Sequence, residues 1–121
     1  MNIKRKIKPL LPSLREKKRY IAFEIVSEGQ IKDISAVSRQ IKDNSLNFFG
    51  ELGLANAGLM VVEDCWNRDA QRGIIRVNNK YMNHAKASLA LISAIDGKEA
   101  LVRSLGASGT LKKAKDKYMA A

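Results

Sequence analysis

An α+β sandwich with the chain order β-α-β-β-α-β and basic ends is what three features of this sequence predict. Apolar residues alternate with period two over residues 19–26, three- and four-residue spacing follows twice, and β-rich runs flank each stretch of helical spacing. The 121 residues fit one domain with one core. An apolar content of 45% is that of a globular protein, and 6% aromatics make that core mostly aliphatic.

Residues 1–18 form a basic arm punctuated by Pro9 and Pro12, without clear periodicity. The folded core is expected over 19–109. In its first strand Ile21, Phe23 and Ile25 point one way, and Tyr20, Ala22, Glu24 and Val26 the other. "SEGQ" at 27–30 supplies a turn. From Asp33, a suitable N-cap, Ile34, Val37, Ile41, Ser45, Phe48 and Leu52 mark an amphipathic helix that Gly53 is expected to stop. "LMVVEDCW" (59–66) and "GIIRVNN" (73–79) read as a hairpin with "NRDAQRG" between them. Tyr81, Ala85, Ser88, Leu89, Ile92 and Ile95 stripe a second helix, ended by Asp96-Gly97. "EALVRSLG" (99–106) is the fourth strand. A basic helix is expected over 110–121, with Leu111, Ala114 and Tyr118 as its seam. Two βαβ crossovers joined by a hairpin give a ferredoxin-like (RRM-like) sandwich, a four-stranded antiparallel sheet with both helices on one face.

The net charge of +10 is unevenly placed. Residues 1–19 hold eight Lys or Arg and one acid, residues 110–121 hold four Lys and one Asp, and the span between has ten of each sign. Basic ends on a neutral domain suit a polyanion, because each cation that meets a phosphate releases condensed counterions. Cys65 is the only cysteine, which excludes an internal disulfide and fits a small apolar residue in a reduced, cytoplasmic protein. No apolar run approaches the roughly 18 residues of a membrane span, and no signal-peptide core is expected.

Side-chain catalysis finds no support. His84 is the single histidine and reads as a helix-surface residue; Glu63 and Asp64 are neighbours on a predicted strand and face opposite ways. The loop after the first strand, "SEGQIKD", lacks the arginine that phosphate-clamping hydrolases of this fold carry there. "GASGTLKK" (106–113) is not a Walker A loop, having no Gly-Lys-Ser/Thr. Ser108, Gly109 and Thr110 open a helix whose free N–H groups suit a phosphate, with Lys112, Lys113 and Lys115 adding charge; a plain cap by Ser108 or Thr110 is the alternative.

Sheets of this type that read single-stranded RNA stack bases on aromatic residues of their central strands. Here "RGIIRV" (72–77) has Ile and Arg where rings are needed, and Tyr20 is the one ring on the first strand's less apolar face. Binding is therefore expected to be electrostatic and shape-directed. The candidate RNA contacts are Arg15, Lys17, Lys18, Arg19, Arg76 and Arg103, together with Ser108, Gly109, Thr110, Lys112, Lys113 and Lys115. Phe48 and Phe49 are consecutive, so one, expected to be Phe49, turns partly outward. Met60, Val62 and Ile74 could make the outer sheet face apolar. These five are candidates for a protein interface, unless the terminal helix covers that face.

"LPSLREKKRYIAFEI" (11–25), "GELGLANA" (50–57), "RGIIRV" (72–77) and "LALISAIDG…ALVRSLGASGTLKKAK" (89–115) together resemble the archaeal ribonuclease P protein component 2 family, shared with eukaryotic ribonucleases P and MRP. The resemblance implies a non-catalytic subunit that binds ribonuclease P RNA and activates it for removal of 5′ leaders from precursor tRNA, which the protein meets indirectly. It implies no protein-bound cofactor, Mg²⁺ in the RNA active site, other ribonuclease P proteins as neighbours, and pairing with a TIM-barrel-like subunit as a heterodimer or dimer of heterodimers. Many relatives have Thr-Gly before Ile-Ile-Arg, where this chain has Arg72-Gly73. Without the resemblance, a general RNA-binding or ribosome-associated module remains the other reading. In either, "REKKRY" places its charges where arm becomes strand, so that the sheet orders them before RNA arrives.

Overall fold

The computed structural model describes residues 17–119. The expected arm, apart from Lys17 and Lys18, lies outside the described residues, and Arg15 with it. The elements are β1 (Lys18–Ser27), α1 (Ile34–Ala57), β2 (Met60–Val61), β3 (Arg72–Asn78), α2 (Met82–Ala90), β4 (Ala94–Ile95), β5 (Lys98–Ser108) and α3 (Leu111–Ala114), followed by a π-helical turn, Lys115–Met119. The fold is α+β, with five antiparallel strands in the order β2-β3-β1-β5-β4.

The alternation in β1 explains why it is central. Ile21, Phe23 and Ile25 are buried in one cluster with Val37 and Ile41 of α1 and with Ala85 and Leu89 of α2, so both helices pack on that face. Where the helices meet, Ser45 and Ser88 bring buried hydroxyls within 3.3 Å of each other. Ala22, on the opposite face of β1, is equally buried; it packs with Ile74 and Ala114 in a second, smaller cluster. The terminal segment thus covers the outer sheet face.

Several boundaries depart from the sequence reading. The sheet has five strands where four were expected, because Asp96 (φ 52°) and Gly97 (φ 76°) form a hairpin turn joining β4 to β5, while α2 ends earlier, at Ala90. Two consecutive positive φ values suit the twist of a tight hairpin, which Asp-Gly supplies with little strain. Asp33 does cap α1, accepting from the Ser35 N–H at 2.9 Å. The helix then bends at Gly50 (φ 75°) and runs past Gly53 to Gly58, whose φ of 59° ends it. The expected strand over 59–66 shrinks to two residues. Glu63–Cys65 form a 3₁₀ turn that brings Trp66 against Phe23, ring centroids 6.5 Å apart. The terminal helix is a four-residue α3 continued as a π turn.

Gly73 is required by packing. It pairs directly with Phe23, and a Cβ there would lie 2.6 Å from the end of that buried ring.

Candidate nucleic-acid interface

Strand direction assembles the cationic surface. Because β3 and β5 both run antiparallel to β1, the start of β1 lies beside the ends of the other two: Lys18 opposes Asn78, and Tyr20 opposes Ser108. Lys17, Lys18 and Arg19 therefore share one end of the sheet with the Ser108–Gly109–Thr110 turn. Arg19 reaches that turn, its Nη1 lying 3.7 Å from where a Gly109 Cβ would stand. Lys17, Lys18, Lys112, Lys113 and Lys115 are exposed. Lys80, which follows β3, is exposed at the same end. Sequence reasoning missed Lys80, although an antiparallel β1–β3 pairing was enough to find it.

The first cations of β1 are held in place. Lys18 Nζ donates to Asn78 Oδ1, and Asn78 Nδ2 donates to the Asn56 carbonyl at 2.7 Å. Arg19 Nε donates to Asn79 Oδ1 at 2.9 Å, and the Asn79 N–H donates to the Lys17 carbonyl at 2.7 Å. These amide acceptors orient the side chains while leaving their charge unneutralised. Among the described residues the ion pairs are Arg72–Glu24 and Arg103–Glu24, so the cationic end has none.

Arg103 is not brought to this end. It opposes Glu24, four residues along β1 from Tyr20, about 13 Å at strand rise. There its Nε and Nη2 bond Glu24 Oε1 at 2.8 and 2.5 Å. Arg72 takes the other oxygen at 3.1 Å and donates through Nη1 to the Tyr118 carbonyl at 3.0 Å. Tyr118 lies so close over Gly106 that a Cβ there would overlap its hydroxyl. Arg72 and Gly106 together latch the lysine-rich segment onto the sheet.

The Arg103 hydrogen bond, chiefly, and then Arg72 hold the Glu24 carboxyl below its ordinary 4.5, against the opposing effect of burial. A carboxylate whose pKa falls on folding stabilises the fold above its unfolded value; that stability disappears as pH drops through the lowered folded value. Thermal melts should therefore show wild type losing stability faster below pH 4.5 than Glu24→Gln. Parallel profiles would contradict the latch.

Thr110 acts as a cap, its Oγ1 accepting from the Lys113 N–H at 3.2 Å. Of the apolar candidates, Ile74 is fully buried beneath the terminal segment and is not on the surface, and Val62 is partly buried there. Met60 stays 50% exposed. The phenylalanines are reversed from expectation: Phe49 packs on the core, its ring in a T-shaped arrangement with Tyr81, and Phe48 is the exposed one at 40%. Leu46 and Leu52 are also exposed on α1, which bends at Gly50. His84 is exposed near the Tyr81 and Phe49 rings, and burial pushes the Cys65 thiol up, as befits a small packing residue. Among the described residues no group of three or more His, Cys, Asp or Glu could hold a metal ion. No helix there is long and apolar enough to cross a membrane.

Comparison with known proteins places this arrangement in a family. The profile of the Rpp14/Pop5 family matches residues 19–119. Ribonuclease P protein component 2 of Pyrococcus horikoshii is 39% identical over 117 residues, covering 96% of this chain and 94% of that protein. The protein of the same name from Archaeoglobus fulgidus is 37% identical over 113 residues, covering 93% and 98%. A chain in the cryo-EM structure of yeast ribonuclease MRP shares the fold, with a TM-score of 0.59 at 17% identity over 79% of this chain and 76% of that one. The chain belongs to the Rpp14/Pop5 family.

Proposed function

We propose that this chain is a protein subunit of ribonuclease P that holds the RNA of the particle by its backbone, through the cationic end of the sheet. The observation that carries the reading is the meeting of Lys17–Arg19 with Lys80 and the Ser108–Thr110 turn that opens the lysine-rich segment, at an end of the sheet without ion pairs among the described residues. The covered outer face supports backbone binding over base reading. Leu111, Ala114 and Tyr118 occupy the surface on which bases would stack, and Tyr20 is only partly exposed. The order β2-β3-β1-β5, with α1 and α2 on one face, supports a ferredoxin-like frame to which β4 is a short addition.

In this reading the 5′ leader of precursor tRNA is cut by the RNA and its Mg²⁺ ions, and the protein stabilises the RNA's active fold. Phe48, exposed on α1, offers an apolar contact for a further protein subunit of TIM-barrel type. The particle works in the cytoplasm.

Reconstitution tests the function. An archaeal ribonuclease P RNA transcript with its other proteins should cleave precursor tRNA at limiting Mg²⁺ only when this chain is added. Equal binding to ribosomal RNA without stimulation of cleavage would instead make it a general RNA-binding module.

A further inference from the structure

Arg76 is a cation without an adequate partner. It stands on the outer face of β3, directly opposite Met60 of β2 and Tyr20 of β1. Tyr20 in turn opposes Ser108 of β5, so these four residues form one row beside the Gly109 turn. The Arg76 Nε is sealed from solvent and has no hydrogen-bond partner among the described residues. Its Nη2 reaches only the Met60 sulfur, at 3.1 Å, and a thioether is a weak acceptor. Arg72 and Arg103, on the same face, are both bonded to Glu24. A buried donor left unmade destabilises a fold, and native proteins keep few of them without a use.

We propose that Arg76 is a dedicated phosphate receptor: it turns outward when RNA arrives and binds one backbone phosphate through two parallel N–H groups. The inference rests on the RNA-binding reading above and gives that surface its one geometrically demanding contact. The planar guanidinium fork matches two phosphate oxygens, and the Nε–H that is unsatisfied at rest becomes half of that pair. Because Arg76 is only partly buried, side-chain rotation is enough to reach solvent. Lys18 and Arg19 precede its strand partner Tyr20 on β1, so an RNA backbone crossing them passes this row.

The test measures melting temperature, and affinity for an archaeal ribonuclease P RNA transcript, on the full chain. Wild type is compared with Arg76→Met, Arg76→Lys and the double variant Lys17→Ala/Lys18→Ala. Arg76→Met should melt at or above the wild-type temperature yet bind about tenfold more weakly, with a salt slope shallower by about one. Arg76→Lys, which keeps the charge and loses the fork, should recover only a minor part of that loss. Lower melting with unchanged affinity would make Arg76 a prop for Met60 and overturn the proposal, as would wild-type binding by Arg76→Lys. If the lysine pair weakens binding and the Arg76 variants do not, the receptor fails and the RNA-binding reading stands. If neither set alters binding, that reading itself fails.

Discussion

Replacing Lys17, Lys18 and Arg19 together by alanine should weaken binding to ribonuclease P RNA by roughly a hundredfold at 0.1 M salt and flatten its salt dependence. Seven cations are counted at this end of the sheet: these three with Arg76, Lys80, Lys112 and Lys113. About six neutralised phosphates give a slope of log K against log salt near −4 to −5, at roughly 0.7–0.9 for each phosphate. Removing three contacts should bring it to about −2. The effect is local as well as electrostatic, because Asn78 and Asn79 hold Lys18 and Arg19 in position and less side-chain freedom is lost on binding. Arg68→Ala/Lys98→Ala removes two charges from the far end of the sheet and should leave the slope nearly unchanged. Equal slopes for wild type and the triple variant, measured by titration across salt concentrations, would contradict the assignment.

Gly73→Val should have the largest effect on stability. Its Cβ would stand 2.6 Å from Phe23 Cζ, and that ring is fully buried with Trp66 stacked beside it. Neither the ring nor the paired backbone of β1 can move away without breaking the central ladder. Overpacking of this kind costs about 3 kcal/mol, or roughly 10 °C in melting temperature for a chain of this size. Gly73→Ala/Phe23→Leu, which opens space for the new methyl group, should recover part of the loss. A wild-type melting curve for Gly73→Val would show that the sheet can yield here.

Much of this fold is legible in the sequence because its periods are clean. Ile21, Phe23 and Ile25 alternate without exception, and Val37 and Ile41 keep helical spacing, so β1 and α1 appear where expected. Asp96-Gly97 is legible only in part. The same dipeptide ends a helix or turns a hairpin, and the choice depends on whether residues 94 and 95 find a strand to pair with. Residues 59–66 mislead in another way: an apolar run suits a strand or a turn that carries Trp66 inward, and the space beneath Phe23 decides. The orientation of Phe48 and Phe49 depends on the bend at Gly50, which periodicity does not register.

The candidate site divides along the same line. The two basic segments are evident from composition, and their meeting follows once β1 is seen to run against both β3 and β5. The pairing of Arg103 with Glu24 and the grip of Arg72 on Tyr118 involve residues 46 to 79 positions apart, a separation that no local pattern reveals. Burial of Ile74 is of this kind too, since it depends on where the terminal segment lies.

Photo-crosslinking in the assembled particle is the most direct test of RNA contact at the cationic end. With p-benzoylphenylalanine in place of Lys80, Lys112 or, as the control, the exposed Leu101, the first two positions should yield adducts to ribonuclease P RNA and the third should not. Adducts from position 101 with none from 80 or 112 would contradict it.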